Sequence, residues 1–121
     1  MCVSVVALLF GMLAGIVIGV QQNFTLAAAH AHLNLIGGVL LFLFGLYYRL
    51  VPAAGTMTRA KVEGWLHMRS AILFSTGVAL KLLKGKSFIA APIVGSFIMV
   101  AAMALFALIV FRTSMASTFT A

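Results

Sequence analysis

Four long apolar stretches alternate with short polar segments along the chain. The stretches cover residues 3–20, 31–51, 65–83 and 88–111. Each comes close to the roughly 20 residues that an α-helix needs to cross the hydrocarbon core of a bilayer. Most of the charged residues lie between these stretches or at their ends. The pattern therefore predicts four transmembrane helices joined by short links.

The composition agrees with a membrane protein. Of the 121 residues, 64% are hydrophobic and 7% are charged, whereas soluble domains carry about 25% charged residues. The four stretches use most of the chain, so no room remains for a separate soluble domain. We therefore predict an all-α fold, a single integral membrane four-helix bundle that covers residues 1–121.

Eight basic residues and one acid, Glu63, give the chain a net charge of +7. The basic residues are spread over helix ends and links, which indicates contact with membrane lipid and excludes nucleic-acid binding. The side that both termini share with the second link carries the larger number of them, so the positive-inside rule predicts cytoplasmic termini. On that side are Arg49, Arg59, Lys61 and Arg112, and on the other side are Lys81, Lys84 and Lys86.

The side chains offer few parts for catalysis. Glu63 is the only acid, so no pair of carboxylates exists, and no nucleophile is accompanied by a base. The single Cys2 cannot form an internal disulfide. A hydrolase is therefore excluded and no catalytic residue is expected.

The most informative motif is the pair His30 and His32 at the start of the second stretch. Imidazole is costly inside a bilayer unless it has a partner. Residues two apart on an α-helix differ by about 200° around the axis, so the two rings face different partners. Neutral imidazole is a common axial ligand of haem iron, and a haem needs apolar walls. The pair predicts haem ligation; the alternative is two interfacial, hydrogen-bonded polar residues.

Other polar side chains are expected at the membrane boundaries. His67 and Trp65 are interpreted as interfacial anchors, about a membrane's width from His30, and Arg69 as a snorkelling side chain. Lys84 and Lys86 are candidate partners of haem propionates; headgroup contact is the alternative. Two sets of glycines allow close approach. Gly11, Gly15 and Gly19 on the first helix are expected to pack against a neighbouring helix. Gly37, Gly38 and Gly45 on the second helix are expected to contact either a porphyrin or another helix.

Three elements between His30 and about residue 83 resemble the catalytic subunit of haem-copper oxidases, nearest to the C-type oxidases and nitric oxide reductases. The first is His30-x-His32 followed by a glycine pair. The second is the block Gly-Leu-Tyr-Tyr-Arg-Leu-Val-Pro over residues 45–52, and the third is Trp65-Leu66 at the start of the next helix. In that family the corresponding helix also enters from the outer face, and the subunit is built from three four-helix units.

The resemblance implies that His30 holds the position of the axial ligand of the high-spin haem, and His32 that of a ligand of the low-spin haem. Gly38 stands where the family has a tryptophan, and the copper-binding histidines belong to helices that this chain lacks. One copy is therefore not expected to reduce oxygen or nitric oxide.

Taken together, the sequence predicts a haem-binding protein of the bacterial inner membrane, with a b-type haem, that serves electron transfer or haem-dependent sensing. The alternative is a non-redox accessory or assembly subunit of a respiratory membrane complex. Since one helix presents ligands on two faces, a second axial ligand has to come from elsewhere. The candidates are water, a neighbouring copy in a homo-oligomer, with a trimer favoured, or one of the methionines Met12, Met99 and Met103.

Overall fold

The computed structural model describes residues 1–118, apart from the side chains of Lys86 and of residues 116–118. Within these residues the chain is helical almost throughout, and four helices are long and apolar enough to span a membrane. This confirms the predicted all-α fold and the predicted number of spans. The four helices are α1 (Cys2–Gln21), α2 (Phe24–Leu50), α3 (Thr58–Lys84) and α4 (Ala90–Thr118).

Two helices begin earlier than the apolar stretches predict. α2 begins at Phe24 and α3 at Thr58. Their first turns contain alanines in α2 and charged residues in α3, which are good helix formers but do not extend an apolar run. Hydropathy therefore identified the part of each helix that can lie in the hydrocarbon core of a bilayer, but not the residue at which the helix begins. As a result His67 is the tenth residue of α3 and does not lie near its start.

The helical type changes within α2. Its central part is a π-helix that begins directly after His32. π-helical turns are rare and are frequently found at functional sites. In chain order, α2 consists of a 3₁₀ turn (Phe24–Leu26), an α-helix (Ala27–His32), the π-helix (Leu33–Leu40) and a second α-helix (Leu41–Leu50).

Glycines on α1 receive side chains from α2. A Cβ atom added at Gly11 would overlap the amide group of Asn34, and one added at Gly15 would lie 3.0 Å from Cε1 of His30. Gly11 and Gly15 therefore have the packing role predicted for them. A Cβ atom at Gly19 would meet nothing within 4 Å, so the predicted role does not extend to that residue.

α3 and α4 form the most extensive interface between helices. A Cβ atom added at Gly77 would lie 2.7 Å from the ring nitrogen of Pro92, and one added at Gly95 would lie 2.9 Å from the backbone nitrogen of Phe74. Small residues that let two backbones approach closely are typical of membrane helix pairs, where packing rather than the hydrophobic effect drives association.

A short linker helix, Pro52–Gly55, closes the end of the bundle where α2 ends and α3 begins. Ala54 is fully buried there against Ile109 of α4. Next to it the hydroxyl groups of Tyr47 and Thr113 are hydrogen-bonded at 2.6 Å, which ties the end of α2 to the end of α4.

α1 and α3 lie on either side of α2 and leave a groove between them. Three adjoining cavities of about 310, 260 and 620 Å³ follow this groove and share lining residues. Glu63 lines the first cavity, whereas His30 lines the last. The groove thus connects the two groups of polar side chains described next.

Candidate functional site

His30 lines the largest cavity described, of about 620 Å³, between α1, α2 and α3. Its Nδ1 atom is buried and has no hydrogen-bond partner among the described residues. Ser75 lines the same cavity, and its hydroxyl oxygen is also buried without a partner in that part of the chain. The other walls are mainly aliphatic and aromatic. A mostly apolar cavity with a few polar groups is typical of small-molecule and cofactor sites.

α1 fixes the position of the His30 ring. The Cε1–Nε2 edge of the ring lies against Gly15, where any larger residue would meet it. Asn34, one turn farther along α2, packs against Gly11 in the same way. Its Oδ1 atom is likewise buried, with no hydrogen bond from the described residues. The face of α2 that meets α1 therefore holds two polar side chains in glycine-lined positions.

His32 faces a different neighbour. Its Nδ1 donates a hydrogen bond of 2.6 Å to the carbonyl oxygen of Ala28. Its ring lies 4.9 Å from that of Phe74 on α3, measured between centroids. As the prediction from helical geometry requires, the two histidines contact different helices. A neutral ring that donates through Nδ1 keeps a lone pair on Nε2, which is the arrangement commonly found in metal-ligating histidines.

The interpretation of His67 as an interfacial anchor is wrong. The side chain is 1% exposed, and its Nε2 donates a hydrogen bond of 3.1 Å to the carbonyl oxygen of Ile36 in the π-helix. The ring of Phe44 packs edge-on against it, with centroids 4.8 Å apart. The physical reason is the face of α3 on which His67 lies, because this face points toward α2 whereas Trp65, two residues earlier, points outward. Trp65 is 59% exposed, as an anchor requires.

His67 is also closer to the predicted ligands than expected. The residue to which it is bonded, Ile36, lies six residues after His30, about 9 Å along the helix axis. The predicted separation of a membrane's width is therefore wrong. His67 still lines none of the cavities described, and no group of three metal-ligating side chains is found in residues 1–118.

A second buried group joins α2 to α3 near the linker helix. The hydroxyl of Tyr48 donates a hydrogen bond of 2.9 Å to Oε2 of Glu63, which is fully buried. Oε1 of the same carboxyl has no partner in the described part of the chain. Neither residue has a role predicted from the sequence. The signal that identifies this face is the spacing of Glu63, His67 and Ser70, at i, i+4 and i+7 along α3.

Lys84, one of the two lysines predicted to contact propionates, does not line the His30 cavity. Lys84 is exposed, and its ammonium nitrogen lies 5.9 Å from the centroid of the Phe88 ring. The cavity wall extends to Leu83 but does not include Lys84. The side chain of Lys86 lies outside the described residues. The structure therefore brings His30 together with Ser75 and not with Lys84.

The glycines of α2 serve helix packing. A Cβ atom added at Gly38 would lie 2.5 Å from the side chain of Leu8, and one added at Gly45 would lie 2.9 Å from that of Met1. Gly37 faces Ala71 and the neighbouring Leu33. None of these glycines lines the His30 cavity, so close helix packing accounts for them.

Comparisons with known proteins leave the family open. The chain matches no family model, and the searches of curated proteins and of solved structures found no match. The resemblance to haem-copper oxidases therefore remains a prediction from residues 30–83.

Proposed function

We propose that the protein binds haem in the groove between α1 and α3, with His30 as the axial ligand, and that it serves electron transfer or haem-dependent sensing. The observation that carries the proposal is the His30 ring, which lines a mainly apolar cavity of about 620 Å³ and whose buried Nδ1 has no hydrogen-bond partner among the described residues. Binding of a ligand there supplies the imidazole with the partner that its burial requires.

The donor set fits haem better than a bare metal ion. A structural zinc site needs about four protein ligands, and no cluster of even three candidate ligands exists among residues 1–118. A haem brings four nitrogen ligands of its own, so one imidazole from the chain is enough to hold its iron. When bound, a haem supplies one-electron chemistry. His30 would ligate the iron, the aliphatic side chains would contact the macrocycle, and Ser75 would offer a hydrogen-bond donor.

His32 is the candidate for a second haem or for a haem shared with a neighbouring protein. The hydrogen bond from its Nδ1 to Ala28 fixes the ring and directs the lone pair of Nε2 away from its own backbone. No methionine is among the described residues that line the His30 cavity, so Met12, Met99 and Met103 are poor candidates for the second axial ligand there. A water molecule or a neighbouring copy would supply that ligand; in the second case the protein would be a homo-oligomer, with a trimer favoured.

The proposal places the protein in the bacterial inner membrane with both termini in the cytoplasm. His30 and His32 then lie toward the outer surface. A cysteine introduced by Ser87→Cys should react with an impermeant reagent added to intact cells. Reaction only after lysis would reverse this orientation.

A haem titration tests the proposal. The protein, purified in detergent after expression with ample haem supply, should carry a Soret absorption band or acquire one on addition of haem. A preparation that remains colourless and takes up no added haem contradicts the proposal and favours the alternative, a non-redox accessory or assembly subunit of a respiratory complex. Native mass spectrometry of the loaded protein would give the number of chains per haem.

A further inference from the structure

A cleft between the beginning of α3 and the end of α4 carries two arginines. Arg59 is the second residue of α3, and Arg112 lies in the last two turns of α4. Both line one cleft of about 310 Å³, and both are exposed. The remaining lining residues are apolar: Met57, Leu105, Leu108 and Ile109.

The chain has no acidic side chain left to neutralise these arginines. Guanidinium groups stay charged at any physiological pH. Glu63 is the only Asp or Glu in the sequence, and it is fully buried beside Tyr48. Arg59 also lies in the first turn of α3, where the helix dipole already contributes partial positive charge. No acidic side chain of the chain competes for these arginines, so an external anion would bind favourably beside them.

The form of the cleft indicates what kind of anion this is. Leu105 and Leu108 lie on α4 within two turns of Arg112, on the side of the arginines that runs into the membrane span. Leu108 is 57% exposed, so this wall is open to lipid chains, whereas Ile109 at the base of the cleft is buried. Two planar, forked donors beside an apolar wall match a phosphate group attached to acyl chains.

We propose that this cleft, lined by Arg59 and Arg112, is a binding site for an anionic phospholipid. The two guanidinium groups hold the phosphate of the headgroup. Leu105 and Leu108 contact the upper part of an acyl chain. The site is independent of the haem proposal, because it lies at the other end of α3 from the His30 cavity.

Native mass spectrometry of protein released from mixed micelles tests this site. With equal amounts of phosphatidylglycerol and phosphatidylcholine, the wild type should retain phosphatidylglycerol preferentially. The double variant R59Q/R112Q should lose about thirtyfold in relative affinity for it. The matched control K81Q/K84Q removes two charges from the other end of α3 and should keep the preference. R59K/R112K should retain only part of it, because lysine does not form the forked contact.

Three results would overturn the proposal. Equal retention of the two lipids by the wild type would exclude selectivity for an anion. An equal loss in K81Q/K84Q would indicate general surface charge. Displacement of the lipid by soluble glycerol phosphate alone would assign the site to a free phosphate. If R59Q/R112Q does not fold, R59Q and R112Q are measured singly.

Discussion

Two histidines lie in contrasting surroundings on neighbouring helices. His67 is 1% exposed, donates to a backbone carbonyl, packs against Phe44 and is not among the residues that line the described cavities. His30 is half-buried and lines the largest cavity described. Each ring has one buried nitrogen without a partner in the described residues. The difference that matters is therefore the space beside the ring: His67 is placed to hold α2 and α3 together, whereas His30 borders a cavity that could receive a ligand.

The largest expected effect is the loss of stability when His67 is replaced. His67→Ala removes a core ring and leaves the carbonyl of Ile36 without its donor, so we expect a loss of about 2–4 kcal/mol in the free energy of unfolding. His30→Ala should cost only about 1 kcal/mol, because the ring borders a cavity. Unfolding titrations in mixed detergent micelles, followed by circular dichroism, measure both. Equal losses for the two variants would contradict the assignment of a structural role to His67 and a ligand-binding role to His30.

The Tyr48–Glu63 contact should have the next largest effect. Tyr48→Phe removes the hydrogen bond to Oε2 and should cost about 1–3 kcal/mol in the same unfolding titration, since a buried carboxyl then loses that donor. Glu63→Gln keeps an acceptor oxygen and should cost less than Glu63→Leu. The double variant Tyr48→Phe/Glu63→Leu removes both polar groups. Its loss in the free energy of unfolding should be smaller than the sum of the losses of the two single variants. Additive losses would show that the two side chains do not act as a pair.

The smallest effects are expected from two glycines of α1. Gly15→Ala and Gly19→Ala both gain helix propensity, about 1 kcal/mol per residue. Gly19→Ala should show this gain, because its Cβ meets nothing within 4 Å. Gly15→Ala should gain less and should change haem affinity, because its Cβ lies 3.0 Å from the His30 ring. Identical behaviour of the two variants in stability and haem titrations would exclude a positioning role for Gly15.

The sequence predicted the number and type of the helices well, because long apolar stretches determine both. Hydropathy alone did not show where α2 and α3 begin, because alanines and charged residues extend a helix without extending an apolar run. The burial of His67, the proximity of His30 to Ser75 and the separation of His30 from Lys84 depend on the rotation of α3 about its axis. Hydropathy did not determine that rotation, because α3 carries polar side chains both on its buried face, such as Glu63 and His67, and at exposed positions, such as Arg69.

Ligand rescue at His30 tests the central claim most directly. His30→Gly should lower haem affinity at least tenfold, and free imidazole, which fits the space of the missing ring, should restore the Soret band of the wild type. His67→Gln should bind haem as the wild type does. Haem binding by His30→Gly that equals that of the wild type, or a loss that imidazole does not restore, would contradict the assignment of His30 as the ligand.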